Sequence, residues 1–284
     1  DIYKIIPAPD TAANLALNID PHTLNSTIPN KFNNDNTVVR VDQQFGQKLS
    51  MFYRYMHDSF PSFQGSGTFV AAPIPGLSAT VTHAPGTQHL GRATYVFNPT
   101  LLANLGYAYS NGSILTTPQG ALLQSQSPDI NVPTPYANTI GVVPTIGVSG
   151  MTTLGGGAVY VDHGINHQGF GDVTKTFRNH TFIAGFSYNH YQKVENSTSG
   201  ANAGSFSFIN NIGQPVVVQP QDSGNGVTEA QAFANFLTGN ANGGFSQASK
   251  NIQVNIQSSL YEGFLQDNWK TTPRLTLNLG VRYS

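Results

Sequence analysis

Apolar and polar side chains alternate with a period of two in paired stretches of this chain, and a very short turn joins each pair. A period of two sends successive side chains to opposite faces of an extended strand, so the pattern predicts β-hairpins. Four are predicted, over about residues 37–58, 87–110, 166–191 and 258–284. In the first, Val39, Val41 and Phe45 alternate with Arg40, Asp42 and Gln44, and Leu49, Met51, Tyr53 and Tyr55 follow a turn at Gly46 to Lys48. The second turns at Asn98-Pro99-Thr100, between Gly91, Ala93, Tyr95, Phe97 and Leu101, Ala103, Leu105, Tyr107, Tyr109. The third turns near Arg178 to His180, and its return strand alternates Phe182, Ala184, Phe186 and Tyr188 with Ile183, Gly185, Ser187 and Asn189. Its outgoing strand has Phe170 and Phe177 at opposite parity, so its apolar side stays open. The fourth turns at Thr271-Thr272-Pro273 and ends on Leu275, Leu277, Leu279, Val281 and Tyr283, alternating with Thr276, Asn278, Gly280 and Arg282.

Between these hairpins lie an entry segment at 1–35 and long loops at 59–86, 111–164 and 192–257, rich in Gly, Pro, Ser and Asn. One short helix is predicted in the last loop, from Glu229 to Gly239, with Ala230, Phe233, Ala234 and Leu237 at helical spacing. Strands of about 9–11 residues cross a bilayer when tilted, and tight turns on one side with long loops on the other is the layout of an outer-membrane barrel. Tyr53, Tyr55, Tyr95, Phe97, Tyr107, Tyr109, Tyr188 and Tyr283 would then supply its aromatic girdles. The same alternation also suits a soluble two-sheet sandwich with an aromatic core, although the loops are long for one. The fold class read from the pattern is all-β: an antiparallel, up-and-down transmembrane β-barrel segment of about eight or more strands, within one barrel domain over 1–284.

Composition sharpens that choice. Only 10% of the 284 residues are Asp, Glu, Lys or Arg, against about 25% in an ordinary soluble domain, so the usual charged coat is largely missing. Asn, Gln, Ser and Thr replace it. A net charge of −1 gives no electrostatic reason to expect nucleic acid or an anionic membrane surface as a partner. The absence of Cys excludes disulfide scaffolds, thiolate metal sites and Cys nucleophiles together. No run reaches the length of a membrane helix.

Candidate chemistry is sparse. Asp162, His163 and His167 are acceptable zinc ligands by type, but in a strand His163 and His167 stand about 13 Å apart, too far for one ion. Ser149 in Gly-Val-Ser-Gly lacks the spacing of a nucleophile elbow. Glu262 and Asp267 lie on opposite faces of one strand and cannot act as a paired acid and base. No catalytic residue, cofactor or metal site is expected, and the chain reads as a non-enzyme.

The stretch YEGFLQDNWKTTPRLTLNLGVRYS, Tyr261 to Ser284, resembles the strand-turn-strand signature of TonB-dependent receptors. IIPAP at Ile5, VRVDQQFGQKLSMFYRY at Val39, FNPTLLANLGYAYS at Phe97, HTFIAGFSY at His180, GSFSFIN at Gly204 and AFANFLTG at Ala232 resemble the Oar-like subgroup of Acidobacteria and myxobacteria, in that family's order. The resemblance implies a large outer-membrane barrel with an N-terminal plug, energised through TonB-ExbB-ExbD, and a carboxypeptidase-regulatory-like domain ahead of the plug. Eight strands compare with roughly twenty-two in such transporters, so the chain is expected to be about a third of one barrel.

On this reading Val39, Val41, Tyr107, Leu277, Leu279 and Val281 face lipid, while Arg40, Asp42, Arg54, Asn104, Asn189, Asn278 and Arg282 face the lumen. The expected partners are outer-membrane lipid, an unknown solute and, through the plug, the TonB system. A passive outer-membrane pore, or a soluble secreted binding or adhesive protein, are the alternatives.

Overall fold

The computed structural model describes residues 2–17, 23–24, 26–67, 69–70, 74–157, 159–196, 201–209 and 226–284. Eight long strands dominate them: β1 (Asp35–Phe45), β2 (Leu49–Ser59), β3 (Gly86–Asn98), β4 (Leu101–Gln119), β5 (Tyr160–Phe177), β6 (His180–Asn196), β7 (Gln253–Thr272) and β8 (Leu275–Tyr283). Each pairs antiparallel with its sequence neighbours, giving one meander in the order β1 to β8. The four predicted tight turns are all present, at 46–48, 99–100, 178–179 and 273–274. Two of them need a left-handed backbone: Gly46 has φ 60° and Arg178 φ 53°. Glycine suits the first without strain, whereas Arg178 lays its guanidinium over the Phe177 ring at 5.1 Å.

The strands run past the predicted hairpin limits. Observed pairs cover 35–59, 86–119, 160–196 and 253–283, because Thr, Asn, Gln and His continue the ladder above the apolar stretch that marked each strand. Strands β4 to β7 are 19, 18, 17 and 20 residues long, roughly 58–68 Å at about 3.4 Å per residue, twice what a bilayer crossing needs.

Register fixes the faces, since directly opposed residues share one. Val41, Tyr53, Gly91, Tyr107, Gly169, Tyr188 and Tyr261 form a single cross-strand row. Following such rows puts Val39, Val41, Tyr107, Leu277, Leu279 and Val281 together on one face, and Arg40, Asp42, Arg54, Asn104, Asn189, Asn278 and Arg282 together on the other. The phase of β5 is settled the same way: Phe177 and Val173 belong to the first, apolar face, and Phe170 to the second, polar one. Across that second face the Phe170 ring lies over Gly106, and the Phe264 ring over Gly185. A Cβ at either glycine would collide with the ring, so the glycines let the aromatic side chains lie flat on the sheet.

The buried core is elsewhere. Leu77, Leu122, Ile130, Val143, Ile146, Val148, Phe208 and Ala232 form it together with Ile2, and all lie outside the eight long strands. The long loops therefore fold. Short strands at Thr145–Val148, Ser205–Phe208 and Gly244–Ser246 make a small separate sheet, with the first two parallel. The helix Gly226–Leu237 packs on it, with the Phe208 and Phe236 rings edge-on at 5.3 Å. The expected helix face is corrected here: Ala232 and Asn235 point inward, while Ala234 and Leu237 are exposed. Asn235 turns in because its amide donates to the Ile209 carbonyl at 2.8 Å. Since β1 enters from the same end, the segment carrying Ile2, Ile5 and Ile6 packs into this loop core as well.

By contrast the apolar face of the long sheet has no cover among the described residues. Leu105, Tyr107, Leu279 and Val281 are 62%, 53%, 54% and 68% exposed. A soluble sandwich would bury these positions against a second sheet, so that alternative is withdrawn. Leu122→Ala, in the loop core, is expected to cost about 2–5 kcal/mol. Limited proteolysis should then cut the loops faster while the hairpin turns keep their protection.

Candidate functional site: the polar face of the sheet

Alternate residues of eight adjacent strands build the polar face, so its side chains meet across strands. Arg40 is bidentate to Asp42, through Nε at 2.8 Å and Nη2 at 2.7 Å, and its guanidinium lies 4.2 Å from the Phe52 ring centre. Arg54 donates to Gln88 at 2.7 Å. Thr94 donates to Asn104 at 2.6 Å, and Asn104 donates on to Asp172 at 2.9 Å, a chain across three strands. Glu262 accepts from Ser187 at 2.8 Å and from Arg282 at 2.9 Å. A shallow pocket lies beside that pair, with Phe170, Phe264, Asp172 and Arg282 in its lining.

The residues singled out in the sequence thus form linked groups. Arg40 with Asp42, Asn104 with Asp172, and Arg282 with Glu262 are held together, while Asn189 and Asn278 share the face without joining these clusters. Gln88, Asp172 and Glu262 were not singled out. Their signal was the same parity as Arg54, Asn104 and Arg282 in neighbouring strands, which becomes informative only once register is known.

Above these rows, where β5 and β6 project beyond a bilayer's reach, stands a charged cluster. The Tyr160 hydroxyl donates to Glu195 at 2.6 Å, Lys193 pairs with Glu195 at 2.7 Å, and Asp162 is 3.8 Å from Lys193. The bond from Lys193, reinforced by the one from Tyr160, holds the Glu195 carboxyl below the usual carboxylate range. Its bond to Glu195 raises Lys193, and the Tyr160 phenol is raised by the same carboxylate and by burial.

The possible metal ligands do not converge. His163 and His167 share the apolar face, and Asp162 is on the opposite one. Each ring has a hydroxyl partner instead, Ser113 for His163 at 2.8 Å and Tyr107 for His167 at 2.7 Å. Among the described residues no group of three or more His, Asp or Glu gathers as a metal site. Ser149 sits in a loop turn, its backbone N–H donating to Phe208 at 3.0 Å. Glu262 and Asp267 lie on opposite faces of β7, and Asp267 instead meets His180 at 2.7 Å. The His180 ring is stacked against Phe182 and Trp269, at 5.5 and 5.3 Å. This aromatic cluster lies beside the tight turns.

The sign of the pH response at the upper cluster follows from the depressed Glu195. Its contribution to stability is full above its ordinary 4.5 and disappears as pH falls through the lower folded value. For Lys193 the raised folded value has the opposite sign, with stability full below its ordinary 10.5 and lost as pH rises beyond it. Amide protection factors at the upper ends of β5 and β6, taken relative to the intrinsic exchange rate at each pH, should therefore hold between pH 5 and 10 and fall in stronger acid. Glu195→Gln should remove the acid-side change.

No curated protein and no solved structure matches the chain. The model of one family, the outer membrane beta barrel domain, matches residues 1–284, its whole length. That match agrees with an antiparallel meander whose apolar face is uncovered among the described residues. The chain belongs to the outer membrane β-barrel domain family, and its place is the outer membrane of a Gram-negative bacterium.

Proposed function

We propose that the chain is part of the wall of a TonB-dependent receptor, its apolar face on lipid and its polar face lining a wet passage for energised transport of a large or scarce solute. What carries this reading is the ordered series of Oar-like segments ending in Tyr261 to Ser284. The folded loop core supports it, since strands of 17–20 residues raise a packed headpiece over one end of the wall. A loop headpiece of this kind presents a surface for capturing solute before transport. The TonB system would act through a plug, as the resemblance implies. The polar clusters are linked by cross-strand hydrogen bonds and present no paired acid and base among the described residues, so no catalytic role is assigned.

The facing is tested by two neighbouring positions at one depth on β5. Val173→Arg should cost about 2–4 kcal/mol of stability in phosphatidylcholine vesicles, and Thr174→Arg about 1 kcal/mol at most. Equal costs would withdraw the assignment of faces.

Coupling is tested in planar bilayers with the full-length protein isolated from its own outer membrane. A receptor stays closed until its plug is displaced, so little steady current is expected. A steady ohmic conductance would favour the passive pore.

A further inference from the structure

The histidines divide between the two faces in one direction only. Six stand in the long strands, at 57, 89, 163, 167, 180 and 190, and all six share the apolar face; the polar face has none among the described residues. Of these, His180 is engaged with Asp267 at the turn end. Four of the others lie at one height. His57 is eight residues up β2 from Leu49, His89 nine residues up β3 from Asn98, and His167 and His190 ten residues up from Phe177 and His180. With about 3.4 Å per residue and a tilt of about 40°, they stand roughly 20–26 Å above the turns. An outer-membrane barrel's apolar band is about 25 Å tall. The histidines therefore mark its far rim, on the loop side.

Their surroundings repeat from hairpin to hairpin. Tyr53 and Tyr107 stand opposite Gly91 and Gly169, and a Cβ at either glycine would meet nothing within 4 Å. The phenols cross that open space to Nδ1 of His89 at 2.6 Å and of His167 at 2.7 Å, while Ser259 meets Nδ1 of His190 at 2.9 Å. A hydroxyl that donates to Nδ1 leaves the ring proton on Nε2, the nitrogen remote from it. With the hydroxyl as donor, each of these three rings keeps its one N–H, on Nε2, uncommitted within the sheet. Permanent charge is scarce on this face: Asp35 tops β1 beyond the belt, and Lys175 and Asp267 lie near the turns. Apart from the tyrosines, imidazole is the titratable side chain at this height.

We propose that His89, His167 and His190 form a belt that binds phosphate groups of the glycolipid headgroups in the outer leaflet, each Nε2–H donating to a phosphate oxygen. The proposal rests on the lipid-facing reading of this face. A face at this height meets the headgroup layer, where anionic oxygens accept hydrogen bonds. Imidazole supplies a donor there without carrying a permanent cation beside hydrocarbon, and it is the side-chain type that can also take up a second proton. Phosphate affinity consequently rises in acid. With the hydroxyls of Tyr53, Tyr107 and Ser259 as donors the ring protons sit on Nε2, and no carboxylate on this face neighbours these three rings, whereas Asp35 stands diagonal to His57, which is left out of the belt.

The test is the apparent affinity of the protein, inserted in phosphatidylcholine vesicles, for fluorescent lipid A with and without its phosphates, at pH 7.5 and 5.5. Each ring that becomes charged should tighten binding about fivefold, the usual effect of one added cation at an anionic surface. The gain should vanish with dephosphorylated lipid A and in the H89Q/H167Q/H190Q variant. H89R/H167R/H190R should keep the tight binding and lose its pH dependence. If the glutamine variant inserts and binds with the same pH dependence as the original, the phosphate belt is overturned while the wall reading stands. If the original protein fails to insert, with its strands open to protease in vesicles, the lipid-facing reading falls and the belt with it.

Discussion

Backbone hydrogen bonding governs this structure more than any side chain does. In hydrocarbon an unpaired N–H or C=O has no water to turn to, so strands persist there only inside an unbroken ladder. The meander meets that demand across the span where the apolar belt lies. Pairing from β1 to β8 runs without irregularity except between Val96 and Asn98 and between Lys270 and Thr272, both beside turns. Gly106 and Gly185 respect the same constraint, since a ring lies over each and the sheet needs no kink or gap to fit them. The outer strands β1 and β8 have one strand partner each among the described residues. For a wall in lipid, those edges are the positions where further pairing matters most.

Once the ladder is fixed, the two faces can differ freely in chemistry. One carries Val, Leu, Phe and Tyr with three permanent charges, and the other carries Arg, Asp, Glu and Asn in cross-strand contacts. The polar face is not a uniform coat. Phe52, Phe170 and Phe264 stand among its charged groups, so a solute passing along it would meet aromatic surface next to carboxylates and guanidinium groups. The hydrophobic effect, idle in a wall bathed by lipid, does its ordinary folding role in the loop headpiece, where Leu77, Leu122 and Val143 are almost wholly buried.

The wall was legible in the sequence because period two is a short-range signal that needs no tertiary information. Leu275 to Tyr283 announces its faces residue by residue, and the four turns fall where Gly46, Pro99, Asn179 and Pro273 interrupt the alternation. What stayed hidden depended on long-range pairing. Strand ends beyond the apolar stretch, such as Ser110 to Gln119, break the alternation, with Ile114 and Leu115 side by side among Ser, Asn, Gly, Thr and Pro, and look like loop. The headpiece joins residues from three loops and the entry segment, with Thr145–Val148 beside Ser205–Phe208, and no local pattern announces such a pairing. The tyrosine and histidine pairs were hidden too, although Tyr-x-Tyr in one strand and His-x-Gly in the next is a recognisable repeat once the strands are known to be neighbours.

The claim on which the rest stands is that one face of this sheet touches lipid and the other water. The chain has no Cys, so single cysteines can be placed along β4 and spin-labelled without background. Collision rates with oxygen, which concentrates in hydrocarbon, and with a water-soluble nickel complex would then be read from Leu101 to Gly112 in vesicles. Oxygen should peak at Leu101, Ala103, Leu105 and Tyr107 and the nickel complex at the residues between them, a clean period of two in opposite phase. Profiles in phase with each other, or with no period of two, would contradict it.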